Sequence, residues 1–195
     1  MGKVIYLTGA PATGKSTLCA NLVNQGFPIT VFSYSQLLRD HVNQRNNSSF
    51  DEIDVRKHSA GIITREDVDQ VDSFLIAEVD RLRGTNNVLI DSHAVTKEAY
   101  GFRVTSFSAS QLNRLKPDAI ICLYATSEVI ASRIRDNAAG RPLPSDFELS
   151  MHVHLQSGLA TQYAFTQECS LYLMNSEVEP EELANRVHVL AKLER

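Results

Sequence analysis

The run Gly9-Ala10-Pro11-Ala12-Thr13-Gly14-Lys15-Ser16 constrains this chain more than any other stretch of it. It fits the pattern G-x-x-x-x-G-K-[ST], and its flanks fit too. Lys3 to Thr8 (KVIYLT) is apolar and β-branched and reads as a buried strand; Ser16 to Gln25 reads as a helix stopped by Gly26. A strand, a glycine-rich turn and a helix in that order make an anion site. Gly9 and Gly14 let the backbone turn tightly, so successive N–H groups converge on one point. The helix N-terminus adds partial positive charge at the same place. Gly9, Ala10, Pro11, Ala12, Thr13, Gly14, Lys15, Ser16 and Thr17 are therefore the expected ATP-phosphate cradle. Lys15 is expected at the β- and γ-phosphates, and the Ser16 hydroxyl on Mg²⁺.

Beyond the loop, short β-like runs alternate with helical patterns. Pro28 to Ser33, Asn87 to Asp91, Ala119 to Tyr124 and Ser170 to Met174 read as four more strands. Helices are expected over Tyr34 to Gln44, Thr64 to Arg83, Ser127 to Arg135 and Leu149 to Gln167, and from Pro180 onward. Thr64 and Asp67 can form a capping box, and Val68, Val71, Leu75, Val79 and Leu82 recur on one face. Two polar stretches, Asn43 to Asp51 and Ala138 to Asp146, read as loops. The fold class expected is α/β: a three-layer α/β/α phosphate-loop fold on a central five-stranded parallel sheet. In such sheets ligands bind beyond the carboxyl ends of the strands. The phosphate loop, the segment after Ser33 and Asp91 all fall at those ends. Asp91 closes NVLID, an apolar strand ending in an acid, and such a carboxylate can hold a Mg²⁺-bound water.

Composition excludes several classes. At 195 residues the chain makes one ordinary domain and buries roughly 70% of its unfolded surface without a metal or disulfide staple. Nineteen Lys plus Arg against 23 Asp plus Glu argue against a surface that coats nucleic acid. The longest clean apolar run, Ala119 to Ala125, is far too short to span a bilayer, and the N-terminus lacks the signal-peptide pattern. Cys19, Cys122 and Cys169 are far apart and sit in apolar stretches, so three reduced, buried thiols and a cytoplasmic location are expected.

Guanine-specific switches carry Asn/Thr-Lys-x-Asp, which is missing; Leu115-Lys116-Pro117-Asp118 lacks the leading residue. What remains is a small kinase that places an acceptor opposite ATP. Ser33 to Asp40 (SYSQLLRD) looks like the acceptor-binding segment of nucleoside monophosphate kinases, with Arg39 one turn into a helix. A guanidinium fork suits a phosphate, although Arg39 can equally pair with Asp40. Arg133 to Pro144 (RIRDNAAGRPLP) reads as a short lid, with Arg133 and Arg141 brought to the transferring group and Arg135 beside them.

Together these residues resemble the archaeal-type adenylate kinases and, more distantly, other nucleoside monophosphate kinases. The resemblance covers nearly the whole chain. It rests on the phosphate loop, Ser33 to Arg39, Val88-Leu-Ile-Asp91-Ser-His93, the Tyr100-Gly-Phe-Arg103 loop and the lid with Arg133 and Arg141. It implies one domain over 1–195, with an acceptor-binding insertion at 34–63 and a lid at 136–146, and reversible transfer from Mg·ATP to AMP. Some members form trimers, so a homo-oligomer stays open. The chain also departs from the family. Long-lid members use D-G-F-P-R after the third strand; here Ser92 and His93 follow Asp91, and Arg103 or Arg56 can replace the missing arginine. Between Pro142 and Asn185 there is no arginine, and His152 and His154 appear instead, about 200° apart on a helix and so a poor shared metal site. His93 either contacts a phosphate or packs as a satisfied imidazole. Ser33, Arg39, Arg56, His93 and Arg103 are the candidate acceptor contacts. A small-metabolite kinase using Asp40 or Asp91 as base, and an ATPase switch that regulates a partner, are the competing readings.

Overall fold

The computed structural model describes residues 2–50, 62–137 and 142–193. Its centre is a five-stranded parallel sheet. The strands are β1 (Val4–Gly9), β2 (Ile29–Ser33), β3 (Asn87–Asp91), β6 (Ala119–Tyr124) and β7 (Ser170–Asn175), in the order β2-β3-β1-β6-β7. The alternation along β1 explains the layering. Val4 and Tyr6 point into a core with Leu75, Val79, Leu112 and Tyr163, while Ile5 and Leu7 point into another with Leu18, Leu22, Leu183 and Val187. The first core is covered by α3 (Arg65–Leu82), α4 (Ala109–Leu115) and α6 (Asp146–Gln167); the second by α1 (Lys15–Asn24) and α7 (Pro180–Leu190). With strands apolar on both faces, the sheet is stable only between two helical layers. The expected α/β/α architecture and all five expected strands are present.

Register brings three strand ends together. Leu7 pairs with Asp91, Ser33 pairs with Asp91, and Gly9 pairs with Leu123. The phosphate loop, Asp91 and Ser33 therefore open onto one end of the sheet. Two further helices complete the wall of that end: α2 (Tyr34–Asn46), packed on α3, and α5 (Ser127–Asp136), packed on α6.

The structure corrects several boundaries. The segment around Tyr100 to Arg103 is not a loop but the second half of an antiparallel hairpin, β4 (Val95–Glu98) with β5 (Gly101–Val104). α2 runs on to Asn46, into the stretch expected as loop. α6 begins at Asp146, three residues before the expected start, because Ser145 and Glu148 form a capping box. The expected Thr64/Asp67 capping box is present at the start of α3. Cys19 and Cys122 are buried free thiols, whereas Cys169 is only half-buried. Arg56 and Arg141, expected as an acceptor contact and a lid arginine, lie outside the described residues. Among the described residues no helix is long and apolar enough to cross a membrane.

Candidate functional site

The phosphate loop owes its shape to two glycines, for different reasons. At Gly9 φ is +148°, and a Cβ there would sit 2.6 Å from the Leu123 carbonyl oxygen and 2.8 Å from Thr13 Oγ1. Gly14 has φ 88° and ψ 13° as the N-cap of α1, with open space around it. A Ser, Thr or Asp cap would fold its own oxygen onto the first N–H groups of the helix. Gly14 provides none, and the first turn of α1 holds no acid, so those donors face the cleft. Inside the loop, Thr13 Oγ1 donates to Ala10 O at 2.7 Å, and Thr13 is fully buried. Lys15 Nζ lies over the loop and donates to Gly9 O at 2.8 Å and Ala10 O at 3.0 Å.

Asp91 stands beside this loop at the end of β3. Burial pushes its carboxyl above the ordinary carboxylate range, and the Lys15 ammonium pulls it part of the way back. Its Oδ1 has no hydrogen-bond partner among the described residues. A buried, unpartnered carboxylate oxygen facing an ammonium is costly unless it serves something. With the exposed Ser16 hydroxyl in the same cleft, the donor set fits Mg²⁺: hard oxygens, few in number, the remaining positions being left to phosphate and water. Among the described residues no cluster of three or more His, Cys, Asp or Glu forms an all-protein metal cage.

The cleft that continues from the loop has a volume of about 1840 Å³. Ser33, Arg39, His93 and Arg103 all line it, as does Arg133. Ser33 ends β2 and precedes α2, with its Oγ 3.3 Å from Ser35 Oγ. Arg39 lies one turn into α2, mostly buried, with Nε 3.6 Å from Asp40 Oδ1. Arg39 therefore lines the cleft while pairing with Asp40. His93 is exposed in the cleft wall. Arg103 on β5 is held by Glu98 on β4 at 3.0 Å, and Lys97 is held by Glu148 at 3.1 Å. Arg135 is exposed at the end of α5 and is not a cleft residue. Arg133 reaches across to the donor loop: Nη1 donates to Ala12 O and Ser176 Oγ, each at 3.2 Å, and Nη2 donates to Ser176 O at 2.8 Å.

Two other features of the cleft go beyond what the sequence analysis singled out. Asp72 on α3 accepts from Tyr34 Oη and from Gln111 Nε2, each at 2.6 Å. Burial raises its carboxyl above the usual range. Phe107 packs edge-on against Tyr34, so this wall is aromatic as well as acidic. The Ser108-x-x-Gln111 capping box that starts α4 was the one signal for this region. His152 and His154 separate as the helical period requires. His152 is buried and donates from Nε2 to Val95 O at 3.0 Å, whereas His154 is exposed with Nδ1 on Ser150 O.

A family model described as AAA domain matches residues 8–149, from the end of β1 into α6. The chain belongs to the AAA domain family. This AAA domain is also similar to curated adenylate kinases over most of its length. It is 20% identical to that of Methanoculleus marisnigri over 182 residues, 91% of each chain. It is 22% identical to that of Thermococcus onnurineus over 197 residues, 97% of this chain and 94% of the relative. Among solved structures it resembles a Deinococcus radiodurans tunicamycin resistance protein, with a TM-score of 0.62 and 12% identity over 100% and 98% of the two chains. It also resembles an Acinetobacter baumannii shikimate kinase in complex with shikimate, with a TM-score of 0.58 and 14% identity over 98% and 94%. These structural likenesses establish the fold.

Proposed function

We propose that this chain is an ATP-dependent kinase that transfers the γ-phosphoryl group to a nucleoside monophosphate, AMP first. One observation carries the reading: the phosphate loop and the cationic wall of Arg39 and Arg103 open into a single cleft. The similarity to archaeal adenylate kinases over most of the chain supports it. The residues at the carboxyl end of β2 support it further. Ser33, Tyr34 and Ser35 are neutral there, and Asp40 pairs with Arg39. An acceptor hydroxyl needs a general base, whereas an acceptor phosphate is largely dianionic at neutral pH, with a second pKa of about 6.

In this reading the bond from the γ-phosphorus to the ADP oxygen breaks, and a bond to an AMP phosphate oxygen forms. The products are two ADP, and no proton has to be removed. The loop N–H groups and Lys15 neutralise the donor phosphates, and Arg39 holds the acceptor phosphate. Arg103, Arg56 and His93 are further acceptor contacts, and Ser33 sets the entry to α2. Arg133 orders the donor loop through Ala12 and closes it against Ser176, while Arg141 belongs to the lid. Mg²⁺, when bound by Ser16 and a water on Asp91, adds charge neutralisation to the phosphates. The chain around the cleft aligns the two phosphates and excludes water.

A second reading, a kinase of a small hydroxylated metabolite, has one observation in its favour: the acid Asp72 in the cleft wall. A panel of nucleoside monophosphates, sugars and hydroxy acids with Mg·ATP separates the two. The proposal expects transfer to AMP and little to hydroxyl acceptors. Lys15→Ala should lower turnover by about 10³-fold or more while the protein stays folded. Retained transfer in folded Lys15→Ala would overturn the mechanism.

A further inference from the structure

α6 carries a polar stripe at four-residue spacing, Glu148, His152 and Gln156, on the side that meets the β4–β5 hairpin. Four residues is one helical turn, so the three side chains stack along one face. Each grips the same short strand. Glu148 pairs with Lys97 at 3.1 Å. His152 Nε2 donates to the Val95 carbonyl at 3.0 Å. Gln156 Oε1 accepts the Val95 N–H at 3.3 Å, while its Nε2 donates to Thr8 Oγ1 at 2.7 Å. Val95, His152, Gln156 and Thr8 are all buried. Both main-chain polar groups of one buried hairpin residue are thus held by two side chains of one helix. One of those side chains also holds β1 immediately before Gly9.

A buried imidazole and a buried amide are expensive choices for a helix face that apolar residues could fill. Burial holds the His152 imidazole below its usual pKa, so its Nε2–H works as a neutral donor. Phe102 of β5 packs edge-on against the same ring, with centroids 5.2 Å apart. Among the described residues the hairpin is a sheet of two strands; such a pair is marginal without outside support. Its cleft-facing cations, Lys97 and Arg103, can be placed only as well as the hairpin itself is placed.

The geometry points to His152 and Gln156 as positioning residues that fix the hairpin, and with it the acceptor wall, at a set distance from the phosphate loop. The placement of the hairpin stands on the hydrogen bonds; its consequence for the acceptor rests on the function proposed above. The same helix thus holds both the hairpin and β1. His152→Phe keeps the ring and removes the donor, leaving Val95 O without its partner. His152→Gln returns a donor nitrogen at a similar reach.

The experiment pairs steady-state kinetics with amide hydrogen exchange over residues 95–105. For His152→Phe the acceptor KM should rise about tenfold, the scale of a buried carbonyl left unpaired. The ATP dissociation constant, measured without acceptor, should stay within about twofold. Exchange should speed up in the hairpin and not in β1 or β6, and His152→Gln should recover most of both effects. Glu148→Gln, on a half-exposed residue that can keep its capping box, should give the same split at smaller size and serves if His152→Phe does not fold. A folded His152→Phe protein with unchanged hairpin exchange would overturn the inference. So would equal losses for ATP and acceptor. If the parent transfers to no acceptor, the functional reading fails by itself, and the exchange result still decides the clamp.

Discussion

Replacing Gly9 by alanine should damage this protein far more than replacing Gly14, although both glycines belong to one loop. Gly9 holds φ +148°, a region that other residues occupy at a cost of about 1–3 kcal/mol. Its new Cβ would also meet the Leu123 carbonyl oxygen at 2.6 Å and Thr13 Oγ1 at 2.8 Å. The first is main chain in β6, which cannot yield without disturbing the strand paired to β1. Overpacking of that kind adds about 1–3 kcal/mol. The sum, about 2–6 kcal/mol, is a large share of a total stability of about 5–15 kcal/mol. At Gly14 φ is +88° and nothing lies within 4 Å of a Cβ, so only the left-handed backbone costs, about 1–2 kcal/mol. Each kcal/mol lowers the Tm of a domain this size by about 2–4 °C. Thermal unfolding should therefore place Gly9→Ala about 10 °C below the parent and Gly14→Ala about 4 °C below. The two should exchange order in no buffer, because both costs are steric. Equal Tm values for the two variants would show that the contact with Leu123 O carries no cost.

Two other substitutions test the cleft cation on α2 and the buried carboxylate that caps α3. Arg39→Ala should raise the acceptor KM by about tenfold or more and leave the ATP dissociation constant nearly unchanged, since a guanidinium–phosphate pair is charge-assisted; equal losses for both ligands would remove Arg39 from the acceptor site. Asp67 gives a pH dependence. Burial raises its carboxyl, but hydrogen bonds from Thr64, then Arg45 and His41, outweigh that and hold it below the usual value. A depressed folded pKa means stability that is present above the unfolded value of about 3.9 and is lost as pH falls through the folded value. Asp67→Asn should thus lower the stability near neutral pH by about 2 kcal/mol, read as a lower Tm, and the gap to the parent should close as the pH drops below about 4.

Strands and donor loop were legible because their signals are local. VIYLTG, NVLID and AIICLY are each built on an unbroken apolar stretch, and the glycine spacing of residues 9–14 leaves few other turns open. The start of α3 was legible for the same reason, its capping box spanning only Thr64 and Asp67. The hairpin was not. Lys97, Glu98 and Arg103 break the apolar alternation that marks a strand, and their contacts are ion pairs and a helix rather than a second sheet. Arg133 shows the limit for the site. Its position at a helix end before a Gly/Pro stretch follows from the sequence, but its grip on Ala12 O and Ser176 depends on packing between residues far apart in the chain. The same holds for Asp72, whose partners Tyr34 and Gln111 come from α2 and α4.

In the function proposed here, the cleft transfers a phosphoryl group from ATP to AMP rather than to water. Quantifying ATP, ADP, AMP and inorganic phosphate together, in one time course with Mg²⁺, tests it most directly. ATP and AMP should fall in step, with two ADP formed for each ATP lost and almost no inorganic phosphate released. ATP loss matched by inorganic phosphate, with AMP untouched, would contradict it.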